Sequence, residues 1–261
     1  MLGAVIGDIV GSPYEGKGRK IKTKDFRLFG PYSRFTDDTV CAAAVADILM
    51  HDRPPAQTMQ RWCRQYPGRG YGGNFGKWIY SSDPAPYDSW GNGSAMRVSP
   101  AAFLNKDSLS NALAASDKVT RITHNHPEGM KGARATTHAI WLAFNDVEPQ
   151  EIRSEIVSTY GYDLSRSVDE IRPSYSFDVS CQGTVPPAVT CALESTSFED
   201  AVRNAVSLGG DSDTLAAIAG PIAEALHGIP RAIAAEAKQR LLDALDRPLD
   251  ILEAMRTMYL I

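Results

Sequence analysis

The stretch "TDDTVCAAAVADIL", residues 36–49, sets the pattern that most constrains the fold: a polar start, then small apolar residues at helical spacing. Apolar positions recurring three and four residues apart mark one buried side of a helix. The same period predicts helices over residues 1–11, 38–51, 56–65, 109–121, 130–144, 149–159, 184–195, 198–207, 213–227 and 230–244, and alternating strand patterns are scarce. No linker of biased composition divides the chain, and no tandem repeat stands at solenoid spacing. The expected architecture is therefore all-α: a single domain over residues 1–261, a helical bundle whose site is built from loops at one end.

The loops are the second constraint. Three irregular stretches interrupt the helical pattern: "GSPYEGKGRKIKTKDFRLFGPYSR", "YPGRGYGGNFGKWIYSSDPAPYDSWGNGS" and "YGYDLSRSVDEIRPSYSFDVSCQG". Structureless connections of this length in a compact domain are usually functional. With 43% apolar residues among 261, a packed core is within reach and disorder is excluded. A net charge of -4 gives no long-range attraction toward nucleic acid or an anionic membrane. A polyanionic ligand has to be held by local groups.

The apolar opening "MLGAVIGDIV" lacks the basic region and cleavage site of a signal peptide, and Asp8 interrupts it. No apolar run reaches the length of a bilayer span, so the expectation is a soluble, cytoplasmic protein with no membrane partner. Cys41, Cys63, Cys181 and Cys191 form no CxxC pair and have no histidine at zinc-ligand spacing, which predicts reduced, buried thiols.

The acids carry the chemistry. "TDDT" places Asp37 and Asp38 between Thr36 and Thr39 at a helix start, and "GGDSDT" places Asp211 and Asp213 before Thr214 at another. Acidic and hydroxyl side chains suit a helix N-terminus, where they accept hydrogen bonds from free N–H groups, so each motif taken singly reads as a cap. Yet one carboxylate suffices for a cap. Two pairs, with the free acid Glu15 in the glycine-flanked "GSPYEGKG", would repel one another on meeting unless cations neutralised them. Carboxylate and hydroxyl oxygens without His or Cys suit hard divalent ions. The pattern leaves two readings open: two independent capped helices, or a shared magnesium-type site, with two ions expected.

Between the acids, "GRGYGGNFG" permits backbone N–H groups to converge on a phosphate, although it fits neither the P-loop nor the dinucleotide fingerprint. A tight tyrosine-containing loop explains it equally. "SWGNGSAMR" sets Asn92 between Gly91 and Gly93, with the Ser89 hydroxyl and the Trp90 ring beside it. In "THNHPEG", His124 reads as a donor to a ligand. His51 and His227 fall at helix C-termini, and His138 lies inside a helical pattern.

In order, "GDIVGSPYE", "TDDT", "GNGSAMR", "THNHP" and "GGDSDT" resemble the ADP-ribosylglycohydrolase family from Gly3 to about Gly228. The resemblance implies an orthogonal all-α bundle with a binuclear magnesium or manganese centre that hydrolyses the bond joining ADP-ribose to an acceptor. It implies Thr36, Asp37, Asp38, Asp211, Asp213 and Thr214 as metal ligands, and contact with the diphosphate by Gly72, Gly73 and Asn74. Ser89, Trp90, Gly91 and Asn92 would hold the ribose nearest the scissile bond, with His124 close by.

Glu15, at the end of "GDIVGSPYE", resembles the branch acting on O-linked ADP-ribose: serine adducts, poly-ADP-ribose or O-acetyl-ADP-ribose. Cleaving a ribosyl bond builds oxocarbenium character, which nearby carboxylates stabilise. Glu15, Asp37 and Asp38 are the candidate catalytic groups, Glu15 as acid/base. The partners implied are an ADP-ribosylated protein or small molecule and the ADP-ribose product; modified nucleic acid also stays open. The competing readings are hydrolysis of arginine- or nucleobase-linked ADP-ribose, a binuclear metal phosphohydrolase acting on a nucleotide, and a non-catalytic ADP-ribose binder.

Overall fold

The computed structural model describes residues 1–16 and 18–243. The last residue of the helix expected over 230–244, and the C-terminal part of the expected domain, lie outside the described residues. Thirteen helices and no strands form among the described residues. Ten match the expected segments: α1 (Leu2–Gly11), α2 (Asp37–Met50), α3 (Pro55–Gln65), α6 (Leu109–Thr120), α7 (Pro127–Phe144), α8 (Pro149–Tyr160), α10 (Cys181–Leu193), α11 (Phe198–Ser207), α12 (Ser212–His227) and α13 (Arg231–Asp243).

Three short helices complete the set: α4 (Gly73–Ile79), α5 (Ser99–Phe103) and α9 (Val168–Ile171). Two of them sit inside stretches expected to be irregular. α9 is one turn, started by a capping box in which Ser167 accepts from the Glu170 N–H and the Glu170 carboxylate accepts from the Ser167 N–H. α4 starts directly after Gly72 and buries Phe75, Trp78 and Ile79. Segments this short carry too few turns for periodicity to be read. Caps also move two helix starts upstream of their apolar pattern. Ser180 accepts from the Gly183 N–H, so α10 begins at Cys181, and His126 accepts from the Glu128 N–H ahead of Pro127 in α7.

α1 is the centre of the bundle. Every residue in it is buried, as expected of a helix that is apolar all round. It packs along α12 with backbone against backbone. A Cβ added at Gly7 would lie 2.0 Å from the Ala216 carbonyl oxygen; at Gly3 it would lie 2.4 Å from that of Gly220, and at Gly11 2.4 Å from that of Ser212. Gly3, Gly7 and Gly11 are therefore a seam with no room for a side chain. α2 is buried along nearly its whole length, and its first turn meets this seam at the end where α12 begins.

No helix among the described residues is long and apolar enough to cross a membrane. The four cysteines are buried and unpaired, as their spacing predicted.

Candidate active site

Thr36 is the N-cap of α2, and its Oγ1 accepts from the Asp38 N–H at 3.4 Å. At the other motif Asp211 occupies the N-cap position of α12 without capping it; its Oδ2 accepts instead from Asn92 Nδ2 at 2.7 Å. The two motifs meet: Thr214 Oγ1 donates to Asp38 Oδ2 at 3.4 Å, across 176 positions of sequence. Two independent capped helices would leave the acids apart, so that reading is replaced by one shared cluster.

The cluster has two overlapping halves. Asp8, Asp38 and Asp213 each offer a carboxylate oxygen within 4.8 Å of the others, and Glu15, Asp211 and Asp213 do the same. Asp213 belongs to both. Asp37, also on the cleft wall, is tied through its N–H to the Arg69 carbonyl at 3.0 Å.

Asp8 was not anticipated as part of the site. It lies mid-way along an otherwise apolar, fully buried helix, and that incongruity was the signal available in the sequence. Its Oδ1 accepts from Thr36 Oγ1 at 2.7 Å. Its Oδ2 accepts from the N–H groups of Thr36 and Thr39, at 2.8 and 3.1 Å, and from the Thr39 hydroxyl. One carboxylate on α1 thus fixes the start of α2.

Burial and mutual repulsion dominate the electrostatics. Burial, followed by the charge of Asp8, pushes the Asp37 carboxyl up to about 8. Asp38 and Asp213 are raised well above the usual carboxylate range, first by burial and then by Asp8 and Asp38 respectively. Asp8 rises to about 6, where burial outweighs its four hydrogen bonds, and Asp211 also rises to about 6 through burial.

The residues fit a divalent cation. The donors are carboxylate and hydroxyl oxygens, the set hard ions prefer, and buried Asp38 Oδ1 has no hydrogen-bond partner among the described residues. A positive charge there would relieve the repulsion that holds these acids protonated.

Above the cluster opens a cleft of about 500 Å³. Its walls contain Glu15, Asp37, Asp38, Asp211, Asp213 and Thr214, together with Gly72, Gly73, Asn74, Ser89, Trp90, Gly91, Asn92 and His124. Of the anticipated residues only Thr36 is absent from the wall; it lies buried beneath, bound to Asp8. The loop carrying Ser89 to Asn92 is pinned to the 178–181 segment, since Asn92 N–H donates to the Val179 carbonyl and Cys181 N–H to that of Trp90.

His124 is buried, with Nδ1 2.7 Å from Thr123 Oγ1 and Nε2 under the Gly91–Gly93 turn. Burial, then the nearby Arg97, pushes its pKa well down, so the ring stays neutral. Arg97 is a second residue whose importance the sequence did not reveal. It is 1% exposed, lines the cleft, and donates through Nη2 to the Val119 and Thr120 carbonyls and the Thr123 hydroxyl, with no carboxylate among the described residues paired to it. Phe177 and Trp90, 52% and 49% exposed, stand at the rim. The other histidines do structural work: His51 and His227 end α2 and α12, and His138 contacts Tyr160.

An all-helical bundle with an oxygen-only acidic centre lining a cleft of about 500 Å³ is an arrangement suited to binding a polar ligand beside a hard cation. A family model described as ADP-ribosylglycohydrolase matches residues 1–259, and the chain belongs to that family of enzymes, which hydrolyse ADP-ribosyl bonds. It is 29% identical to "ADP-ribosylarginine hydrolase Tri1" of Pseudomonas putida (strain GB-1), over 88% of this chain and 70% of that one. It is 24% identical to "ADP-ribosylhydrolase ARH3" of Danio rerio, over 88% of this chain and 82% of that one. Among solved structures, an "ADP-ribosylglycohydrolase-related protein complex" shares the fold with a TM-score of 0.69 at 24% identity, covering 97% of this chain and 95% of that chain.

Proposed function

We propose that this enzyme hydrolyses the glycosidic bond between ADP-ribose and an oxygen-linked acceptor, such as a serine adduct, poly-ADP-ribose or O-acetyl-ADP-ribose, and releases intact ADP-ribose. The observation that carries the reading is the position of Glu15. It is the exposed acid of the cluster, on the cleft wall, with an oxygen within 4.8 Å of the buried Asp211 and Asp213. An acid that protonates a departing alkoxide has to reach the acceptor, and the exposed Glu15 is freer to do so than the buried Asp211 and Asp213.

Asp37, Asp38, Asp211 and Asp213, with Thr36 and Thr214 completing the oxygen set, would hold two magnesium or manganese ions. Bound there, these cations supply Lewis acidity toward ribose hydroxyls and lower the pKa of water. The aspartates place negative charge where oxocarbenium character develops. Asn92, whose Nδ2 donates to Asp211 and Thr184, would hold the ribose alongside Ser89, Trp90 and Gly91 on the cleft wall. Gly72, Gly73 and Asn74 offer exposed backbone and amide donors to the diphosphate, and neutral His124 supports the Gly91–Gly93 turn.

A second reading is favoured by one observation: the relatives at 29% and 26% identity, from Pseudomonas putida and Serratia proteamaculans, are both named ADP-ribosylarginine hydrolases. A panel of arginine-, serine- and O-acetyl-linked ADP-ribose, each with magnesium, manganese or chelator and with products identified by mass, decides between them. Release of intact ADP-ribose from oxygen-linked substrates is the expected result. Turnover of arginine adducts alone would reverse the role given to Glu15, and release of AMP or phosphate would make the enzyme a phosphohydrolase. The proposed compartment is the cytoplasm, and the proposed domain is residues 1–261 as one unit.

A further inference from the structure

The segment that joins the two halves of the site is charged against the rest of the chain. Residues 17–34 carry seven of the chain's 27 lysines and arginines but only one of its 31 acids, in a protein whose net charge is -4. The segment is flanked in sequence by residues of the site, Glu15 before it and Thr36 after it. The segment leaves Glu15 on the cleft wall, and it returns where the Arg34 N–H donates to Ser12 Oγ, two residues before the Thr36 cap.

Its middle is held rigidly. Lys22 donates to the carbonyls of Arg172, Tyr175 and Leu208, Lys24 pairs with Asp200, and Arg203 donates to the carbonyls of Lys24 and Phe26. Two of its cations are thereby engaged. Arg19, Lys20, Arg27 and Arg34 are exposed and make no ion pair among the described residues. Beside Arg34 stands Tyr32, 81% exposed and the most exposed of the large apolar side chains among the described residues.

Unpaired cations on a fixed backbone, interleaved with an open aromatic ring, are the features that bind a single strand of nucleic acid: charges track phosphates and a ring stacks on a base. An acidic peptide would answer the charges but leave the ring in water. We propose that the 18–34 segment is a docking strip for single-stranded nucleic acid, so that ADP-ribosylated nucleic acid is an acceptor class of this enzyme. The strip delivers the modified nucleotide to the adjoining cleft. The acceptor assignment rests on the hydrolase reading above, whereas strand binding does not.

The test therefore has two arms on the full chain. In the first, fluorescence anisotropy follows binding of an unmodified, fluorescein-labelled single-stranded oligonucleotide across a salt series. Four phosphate contacts give a slope of log K against log salt of about -3. The triple variant Arg19→Glu, Lys20→Glu, Arg27→Glu is expected to bind at least about tenfold more weakly with a flatter slope. Tyr32→Ala should weaken binding by roughly fivefold to a hundredfold with the slope unchanged. In the second arm, the triple variant should lose about tenfold in kcat/KM on an ADP-ribosylated oligonucleotide, through KM, and keep wild-type turnover of an ADP-ribosylated serine peptide.

No oligonucleotide binding by an enzyme that turns over the peptide overturns the strip. So does competition by poly-glutamate more effective than that by the unlabelled oligonucleotide. Strand binding that the triple variant abolishes, in a protein that hydrolyses no ADP-ribosyl substrate, would leave the strip standing and remove the hydrolase reading instead.

Discussion

Gly7→Ala is a one-carbon change whose cost can be worked from the seam between α1 and α12. The added Cβ would sit 2.0 Å from the Ala216 carbonyl oxygen, 2.3 Å from its carbon and 2.8 Å from the Ala217 nitrogen. All three atoms are backbone, so no rotamer change relieves the clash and the helices must separate. An ordinary contact requires more than an ångström of additional distance, and a gap of that size forfeits a quarter to half or more of the dispersion energy of each atom pair along the seam. Overpacking typically costs 1–3 kcal/mol; with backbone on the far side we expect the upper end, about 3 kcal/mol. In a chain of this size that lowers Tm by roughly 6–12 °C. The second readout is functional. Asp8 follows Gly7, and Asp213 lies three residues before Ala216, so spreading the seam also spreads two oxygens of the acidic cluster. Magnesium and manganese affinity by calorimetry should fall together with Tm. Adding Ala216→Gly should not rescue, because it removes a methyl group and leaves the carbonyl in place. A Gly7→Ala variant within 2 °C of wild type, or one restored by Ala216→Gly, would refute backbone contact as the reason for the glycine.

Three other perturbations separate the roles of the acids. Asp8→Ala strips the acceptor from the Thr36 and Thr39 N–H groups and should destabilise the protein by about 2–6 kcal/mol in urea unfolding, because two buried donors are left unpaired. A loss under 1 kcal/mol would show that water replaces the carboxylate. Glu15→Gln, at an exposed position, should leave Tm unchanged and lower turnover of an ADP-ribosylated serine peptide by about 10²- to 10⁴-fold; wild-type turnover would exclude Glu15 from acid/base work. The third is pH. Asp37 is raised to about 8 and Asp8 and Asp211 to about 6, so the stability these groups contribute is present below about pH 4, where they are protonated both folded and unfolded. It is lost as pH rises above about 4, through about 6 for Asp8 and Asp211 and through about 8 for Asp37. Chelator-treated protein should therefore lose Tm over that window while protein in excess magnesium holds it; a gap that narrows as pH rises would contradict the assignment.

How far the sequence could be read depended on the range of the interaction behind each feature. The ten long helices follow from local periodicity, and a local signal is visible in a local window. α9 depends on one reciprocal cap and α4 on a single buried aromatic face, and neither fills enough turns to register. The ends of the site were legible for the same reason: Asp37, Asp38, Asp211 and Asp213 stand at helix starts, where polar residues announce themselves. That the two starts meet was not legible in the residue pattern and came only as an implication of the family resemblance, because the contact from Thr214 to Asp38 spans 176 residues. Asp8 was missed since its partners, Thr36 and Thr39, lie about thirty positions away. Arg97 was missed because its cluster partners are backbone carbonyls and a hydroxyl, and a carbonyl leaves no trace in residue type.

The same geometry explains why so acidic a centre can be tolerated within a folded protein. Two helix starts bring the positive ends of their dipoles to one place, where the Thr39 and Thr214 N–H groups donate to Asp8 and Asp213, and that partial charge lowers the cost of gathering carboxylates there. It is insufficient alone, since burial still drives Asp37, Asp38 and Asp213 far above the ordinary carboxylate range. The remaining restraint is mechanical: α1 and α12 are locked by backbone contact at Gly3, Gly7 and Gly11, and Asp8 ties α2 to the same pair. The acids cannot relax apart without opening that seam. Their repulsion is therefore relieved either by protons, as the raised pKa values record, or by cations. A centre built this way exchanges one for the other, and cation binding at pH 7 should release protons. Calorimetry in buffers of different ionisation enthalpy measures that number directly, and an apparent binding enthalpy independent of buffer would show that the acids were already ionised and the restraint unnecessary.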